Sequence, residues 1–220
     1  MATDVKGVIF DLDGTLYRMH WIMRPFITLR VFPNILRLPR FIKERNRFAG
    51  IDMNSRDKLM DQICDALSKT EKCSSKVMRQ WIDETFYPAF IDSMLLFKNS
   101  RPDINQTLEQ LKKNQLKLAV LSDYDKVKER LLKLAIEPSF FDVITSSESF
   151  GALKPSGRPF MEIAGQWDID PCHILVVGDR TDTDGAGAKA AGMNFRQITD
   201  NKKDPTTTWL AVRDYLLSIG

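Results

Sequence analysis

Short apolar segments alternate along the chain with segments of helical periodicity, and this alternation constrains the fold more than any other feature. Buried strands are predicted at residues 5–10, 116–121, 141–145, 173–177 and 194–198. Helices are predicted between and after the later strands, at residues 102–113, 126–135, 155–166, 183–191 and 207–218. Strands separated by helices favour parallel pairing through right-handed crossovers, with helices on both faces of the sheet. The sequence therefore predicts an α/β fold on a doubly wound parallel sheet.

A long stretch between the first two strands has a different character. From residue 21 to about residue 97 the apolar residues recur at helical spacing, and no strand pattern interrupts them. Prolines break up its first part, namely Pro25, Pro33 and Pro39. Pro88 is predicted to kink or divide a later helix, because proline removes a backbone donor. We therefore predict an α-helical cap domain over residues 18–99, inserted into a core formed by residues 1–17 and 100–220.

Polar side chains stand where the predicted strands end. Asp11 and Asp13 follow the first strand, Ser122 ends the second, and Asp179 follows the fourth. In open parallel sheets, ligands bind beyond the carboxyl ends of the strands, so these side chains are expected to converge. Gly14 permits the turn that would let both early carboxylates face one cavity. Taken alone, however, that fragment is equally typical of a solvated turn.

Two other sites compete for the acidic loop after the fourth strand. A calcium loop would need an acid at Arg180 and a glutamate at Ala191, so that pattern fails. A dinucleotide fingerprint would need glycine at Ala190, and the preceding acids would repel a pyrophosphate. Ser122 and Lys154 are weak signals when each is taken alone. As a set, carboxylates, a lysine and a hydroxyl supply what phosphoryl transfer requires.

Four motifs in order give the chain a family resemblance. They are Asp11-Leu12-Asp13-Gly14-Thr15, then Ser122 at the end of its strand, then Lys154 before Pro155, and finally Gly178-Asp179 with Asp184. In this order they resemble the haloacid dehalogenase-like hydrolase superfamily, over residues 5–16 and about 101–198. The resemblance implies a Rossmann-like core, and the helical insert falls where one branch of the superfamily carries a mobile cap.

The resemblance also implies roles for individual residues. Asp11 would be the nucleophile that becomes an aspartyl-phosphate, and Asp13 the general acid and then the general base. Mg²⁺ would be held by Asp11, Asp179 and the backbone carbonyl of Asp13, with Asp184 supporting the metal site. The expected phosphate-binding residues are Thr15, Ser122, Asp123 and Lys154. Asp123 departs from the asparagine that many relatives have, and its carboxylate would repel phosphate unless it points away or is paired.

These roles favour a magnesium-dependent phosphatase that acts on a small phosphorylated metabolite. A haloacid dehalogenase is disfavoured because that branch lacks the acid seen at Asp13. A sugar phosphomutase uses the same aspartate pair and remains an alternative, as does a non-catalytic binding protein on this scaffold. A receiver-type phospho-switch would place its acceptor after a later strand and would need no large insert.

Composition narrows the setting. Three cysteines without C-x-x-C spacing favour neither a disulfide framework nor a zinc site, and no secretory leader or membrane span is predicted, so we expect a cytoplasmic protein. A net charge of +3 does not indicate a nucleic-acid partner. The oligomeric state stays open.

The charge is concentrated in the early part of the predicted cap. Residues 18–47 contain eight basic residues and a single acid, Glu44, which gives the segment a net charge of +7. One interpretation is a solvated basic face on a helix pair with an apolar core face. A second places one or two of Arg18, His20 and Arg24 at the active site. A third is membrane docking on anionic lipid, which the prolines disfavour because they interrupt a continuous helix.

Overall fold

A five-stranded parallel sheet forms the centre of the molecule. The computed structural model describes residues 4–96, 100–199 and 204–219. The strands are β1 (Gly7–Phe10), β2 (Lys117–Ser122), β3 (Val143–Ser146), β4 (Ile174–Gly178) and β5 (Asn194–Gln197). Their order across the sheet is β3-β2-β1-β4-β5, and every pairing is parallel. The predicted α/β fold is thus confirmed, with each strand within two residues of its predicted bounds.

Helices cover both faces of this sheet. They are α6 (Ile104–Lys113), α7 (Val127–Lys133), α8 (Ser147–Phe150), α9 (Arg158–Trp167), α10 (Ala186–Ala190) and α11 (Trp209–Ser218). Alternate strand residues feed two separate apolar clusters, since successive side chains of a strand point to opposite faces. Val8 and Phe10 join α6, α7 and α11, whereas Ile9 joins α9 and α10. The sequence analysis did not predict α8, which is a single turn.

Residues 18–96, which we call the helical insert, lie between β1 and β2. Its helices are α1 (Met23–Arg30), α2 (Arg37–Asn46), α3 (Arg56–Glu71), α4 (Ser75–Trp81) and α5 (Tyr87–Leu96). Pro25 and Pro39 each occupy the first turn of a short helix, where the backbone N–H has no partner within the helix anyway. A π-helical turn, Ile82–Phe86, separates α4 from α5 immediately before Pro88, so the predicted division is confirmed. Residue 97, where the helical pattern ends, lies outside the described residues.

Besides apolar packing and side-chain contacts, backbone bridges mark two places where the helical insert meets the core. At the first, Tyr17 and Ser100 form an antiparallel bridge where the chain leaves and re-enters the core. At the second, which we call the seam, residues 49–53 pair with residues 151–153: the Gly50 amide donates to the Leu153 carbonyl (3.1 Å), and the Met53 amide donates to the Gly151 carbonyl (2.9 Å). A side chain at Gly151 would clash with the backbone of Ser55 at 2.2 Å. The division into a core and a cap at residues 18–99 stays a prediction.

No helix within the described ranges combines the length and the apolar character needed to cross a lipid bilayer.

Candidate active site

Three carboxylates meet at the carboxyl edge of the sheet. Asp11 directly follows β1, and its amide donates to the Val177 carbonyl of β4 (2.9 Å). Asp179 directly follows β4, and Asp184 lies on the π-helical turn Thr181–Gly185 that comes next. One oxygen from each of the three carboxylates lies within 4.8 Å of the others. Adjacent strand ends therefore bring together acids that are more than 160 residues apart in sequence.

Lys154 is the buried cation of this cluster. Its Nζ donates to Asp11 Oδ1 (2.8 Å) and to Asp184 Oδ1 (2.7 Å), and the residue is only 3% exposed. Burial alone would lower the pKa of Lys154, but the two carboxylates raise it above its usual range, so the ammonium stays charged.

The cluster nevertheless keeps an excess of negative charge. Burial raises the pKa of Asp11 well above its usual range, in spite of Lys154, and burial together with Asp184 raises the pKa of Asp179 to about 6. Asp11 Oδ2 is buried and has no hydrogen-bond partner among the described residues. An unpartnered carboxylate oxygen beside two further carboxylates has the donor chemistry that Mg²⁺ prefers. The residues present therefore fit a magnesium ion.

Asp13 lies only two residues from Asp11 but has a separate set of partners. Its carboxylate accepts hydrogen bonds from the Tyr17 hydroxyl (2.5 Å), from Ser122 Oγ (3.0 Å) and from the Arg130 guanidinium. Burial alone would raise the pKa of Asp13, but Arg130 outweighs it and holds that pKa below its usual value. The two aspartates of the first motif thus differ in environment: Asp11 has an elevated pKa beside a metal-type cluster, and Asp13 is ionised against an arginine.

The turn that follows Asp13 depends on Gly14 and Arg101. Gly14 has a φ of +86°, and a Cβ there would lie 2.4 Å from Asp179 Oδ2. Arg101 is buried and donates to the carbonyls of Gly14 (2.6 Å) and Thr15 (2.9 Å). Arg101, which lies where the chain returns from the helical insert to the core, therefore fixes the shape of the loop that carries the first motif.

The hydrogen-bond partners of Thr15 and Asp123 bear on the expectation that these residues bind phosphate. Thr15 is buried, and its hydroxyl has no hydrogen-bond partner among the described residues. The Asp123 carboxylate accepts from Ser147 Oγ (2.5 Å) and from the Lys154 amide (3.1 Å). The carboxylate that departs from the family pattern is therefore hydrogen-bonded, and it braces the loop that carries Lys154.

Besides Arg101, two further buried arginines that support the site were not predicted from the sequence. Arg130 lies on the inner face of α7, at a position where the Val127, Leu131 and Leu134 pattern calls for an apolar residue. Arg45 of the helical insert is 3% exposed, donates to the Asp123 carbonyl (2.6 Å) and stacks 4.1 Å from the Tyr124 ring centroid. An arginine at an apolar position of a helix was the available signal in both cases.

The basic segment divides into several environments. Much of it is solvated and paired, with Arg30 on Asp92, Arg37 and Arg40 on Glu71, and Arg47 on Glu44. Arg24 lines the cavity above the carboxylates, as the second interpretation allows, whereas Arg18 and His20 are not among its lining residues.

That cavity has a volume of about 390 Å³. We use the name catalytic floor for six residues of its core side, Asp11, Asp13, Asp123, Lys154, Asp179 and Asp184; Tyr124, Arg180 and Thr183 also line that side. We call its opposite side the apolar roof, which consists of Met19, Met23, Ile27, Leu38, Ile42, Phe86 and Phe90.

A family model for the haloacid dehalogenase-like hydrolases matches residues 5–192. The chain therefore belongs to the haloacid dehalogenase-like hydrolases. Among curated relatives, it is 29% identical over 190 residues to a phosphoglycolate phosphatase of Aquifex aeolicus, covering 86% of this chain and 82% of the relative. It is also 29% identical over 208 residues to a glyceraldehyde 3-phosphate phosphatase of Methanocaldococcus jannaschii, covering 90% and 86%.

Solved structures support the fold. A magnesium-bound HAD-hydrolase of Bacillus subtilis aligns with a TM-score of 0.66 at 16% identity, covering 96% of this chain and 98% of that one. A 2-haloacid dehalogenase of Pseudomonas syringae aligns with a TM-score of 0.64 at 22% identity, covering 97% and 98%. At these identities the likeness concerns the fold alone.

Proposed function

We propose that the protein hydrolyses a phosphomonoester in a magnesium-dependent reaction through an aspartyl-phosphate on Asp11. The observation that carries this proposal is that the two aspartates of the first motif have different hydrogen-bond partners. Asp11 has a free Oδ2 next to Lys154 and two further carboxylates, whereas Asp13 is held 3.0 Å from Ser122 by hydrogen bonds of its own. The phosphatase names of the curated relatives support the same reaction class.

In the first half-reaction an Asp11 carboxylate oxygen attacks phosphorus and the bond from phosphorus to the alcohol oxygen breaks. The Asp13 carboxyl gives the departing alkoxide its proton. In the second half-reaction the Asp13 carboxylate takes a proton from a water molecule as that water attacks the phosphorus, which releases phosphate and restores Asp11. Lys154 neutralises the phosphoryl oxygens, and the Thr15 hydroxyl, which has no partner among the described residues, supplies a donor to them. The Ser122 hydroxyl donates to Asp13 and would have to rotate to do the same.

Asp11, Asp179 and Asp184 would hold Mg²⁺. When bound, the ion supplies positive charge that offsets the charge of the phosphoryl group and of the surrounding carboxylates.

Asp13 has to change its protonation state during the cycle. Its partnership with Arg130 keeps it ionised in the free protein, which suits the second half-reaction. A substrate phosphate brings further negative charge close to this carboxylate, and a like charge raises the pKa of an acid. The substrate itself therefore helps Asp13 to take up the proton that the first half-reaction requires.

We take the substrate to be a small phosphorylated metabolite, with the helical insert acting as the cap that covers it. The insert brings few polar groups to the cavity, so it offers little to orient a second sugar hydroxyl. Transfer to water is therefore favoured over the phosphomutase reaction.

The test is phosphate release from p-nitrophenyl phosphate with and without Mg²⁺. Chelation and Asp11→Asn should each abolish turnover, because the amide is nearly isosteric but a far poorer nucleophile. Asp179→Asn should raise the Mg²⁺ concentration needed, whereas Asp182→Asn, an exposed acid of the same loop paired with Arg180, should not.

Acid quenching during turnover should leave one phosphoryl group on the peptide that contains Asp11. Undiminished turnover by Asp11→Asn, or label on any other residue, would overturn the mechanism.

A further inference from the structure

The two sides of the cavity above Asp11 differ in chemistry. The catalytic floor presents carboxylates and one ammonium group. The apolar roof faces it with seven aliphatic, thioether and aromatic side chains. On the helical-insert side, the only polar side chains that line the cavity, among the described residues, are Arg24 and Asn46, and both are largely exposed. The part of a substrate that extends away from phosphorus therefore meets an apolar surface.

Residues deep in the roof have little room to turn away from the cavity. Met23, Ile27 and Leu38 are 1%, 6% and 4% exposed and belong to the main apolar core of the molecule. Phe86 and Phe90 pack on each other and on Tyr124, which also lines the cavity, with ring centroids 5.5–5.9 Å apart. The apolar roof is thus built from packed side chains and is a fixed feature of the site.

The size of the cavity also indicates a ligand larger than a two- or three-carbon phosphate. Its volume of about 390 Å³ falls in the range of sites for drug-sized ligands, roughly 300–1,000 Å³. At roughly 30 Å³ per water molecule, it corresponds to about a dozen waters. A two- or three-carbon phosphate would leave much of the roof uncovered, and its carboxylate or hydroxyl groups would lose hydrogen bonds to water without replacement.

We propose that the substrate is the phosphomonoester of a predominantly apolar alcohol, an alkyl or aryl phosphate with several carbons beyond the ester oxygen. This inference rests on the proposed phosphatase function and narrows its substrate class. It separates the chain from the relatives whose names specify phosphoglycolate and glyceraldehyde 3-phosphate, since both of those molecules are short and polar.

A larger and more open depression on the helical insert, of about 690 Å³, does not compete for this role. It is lined by Asp61, Arg79 and Asp83 among others, and Arg79 already pairs with Asp61 (3.8 Å) and Asp83 (3.5 Å). Its position away from Asp11 leaves it without the groups that phosphoryl transfer needs.

The experiment measures kcat/KM with saturating Mg²⁺ over the n-alkyl phosphates from ethyl to hexyl, together with glycerol 1-phosphate and phosphoglycolate. Each added methylene that leaves water for the apolar roof should raise kcat/KM about fourfold until the roof is covered. Glycerol 1-phosphate should fall below propyl phosphate. A flat series, or a preference for the polar esters, would overturn the inference while leaving the phosphatase proposal intact. Absence of turnover on all of these esters and on p-nitrophenyl phosphate would instead refute the phosphatase proposal.

A matched pair of variants locates the effect. Ile42→Gln places an amide in the apolar roof and should cut the gain per methylene to about twofold or less. Ile35→Gln makes the same change at a largely exposed position outside the cavity and should leave the series unchanged. Ile42→Leu keeps the apolar surface and should keep the slope, which controls for folding. Equal slopes in Ile42→Gln and Ile35→Gln would contradict an apolar binding surface at Ile42.

Discussion

The catalytic floor and the apolar roof enclose the same cavity, but different interactions hold them in shape. Side chains of the floor form a crowded set of charges held by two buried cations: Lys154 of the floor is 3% exposed and contacts Asp11, and Arg130 outside the floor is 0% exposed and contacts Asp13. The roof holds its shape by close packing of apolar groups and carries almost no directional contacts. Hydrogen bonds and ion pairs fix atoms in definite positions, whereas apolar surface is non-directional.

This difference assigns different tasks to the two sides. Chemistry at phosphorus needs a nucleophile, an acid and cations at fixed positions, and the floor supplies them from the sheet. Selection of the leaving alcohol needs only surface of suitable character and volume, and the roof supplies that from a separate stretch of chain. The roof can therefore change its selectivity by ordinary apolar substitutions that leave the reaction untouched.

The largest effect is expected at the cation of the floor. Lys154→Met removes the group that neutralises Asp11 and Asp184, so kcat should fall by about 10²–10³-fold, as for loss of a preorganised electrostatic group. Steady-state kinetics at saturating Mg²⁺ measures this. Lys189→Met, an exposed lysine on α10, is the matched control and should keep full activity. A loss of less than tenfold in Lys154→Met would mean that the floor does not depend on its lysine.

A second prediction concerns the polar contacts that join the insert to the core. Glu148 is fully buried, accepts from the Tyr87 hydroxyl (2.6 Å) and lies near the guanidinium groups of Arg45 (3.9 Å) and Arg56 (3.4 Å). Glu148→Leu leaves the buried Tyr87 hydroxyl and Arg45 guanidinium without this acceptor and should lower the free energy of unfolding by about 3 kcal/mol. Denaturant unfolding measures the change.

Glu162→Leu is the control for that change, because its pair with Arg158 is solvent-exposed. Such pairs add little to stability, so this variant should unfold close to the parent. Equal destabilisation of the two variants would remove the distinction between the buried contacts and the surface.

The third prediction uses the pKa of Asp13. Arg130 lowers that pKa, so removing the guanidinium raises it, and Asp13 then becomes ionised only at higher pH. The acidic limb of the kcat profile, which requires ionised Asp13 for the water step, should move upward in Arg130→Met. Lys133→Met, an exposed change on the same helix, should leave the limb in place. A limb that does not move in Arg130→Met would show that another group sets it.

The smallest effect is expected at the rim of the roof. Arg24 lines the cavity but is solvent-exposed, so Arg24→Ala should raise KM for a phosphomonoester about threefold with kcat unchanged. High salt should diminish the difference, since it screens exposed charges. Lys43→Ala removes the same charge from the same segment away from the cavity. An equal rise in KM for both variants would indicate that the net charge of the segment affects binding, rather than a contact between Arg24 and the substrate.

Much of the fold followed from patterns that depend on neighbouring residues alone. Strand periodicity and the positions of the glycines and prolines were enough to predict the sheet, the helical insert and the division of the helix before Pro88. The convergence of Asp11, Ser122 and Asp179 followed from a rule about parallel sheets, which holds whatever the side chains are.

Other parts of the site could not be predicted in this way. Arg130 meets Asp13 across 117 positions of sequence, and Arg45 meets Asp123 across 78. Such contacts depend on how helices pack, which the local pattern does not encode. The hydrogen bond from Ser147 to the Asp123 carboxylate could not be predicted, because α8 is too short to leave a periodic signal.

Backbone bridges mark two separate places where the helical insert meets the core. One is the bridge between Tyr17 and Ser100, and the other is the seam, where residues 49–53 pair with residues 151–153 just before Lys154. A body held at one point can swing in any direction, but a body held at two points can only turn about the line that joins them. A rotation of the insert about the line through both places also has to break the contacts of Arg45 and Tyr87 with the core, and any wider movement has to pull on the segment that positions Lys154.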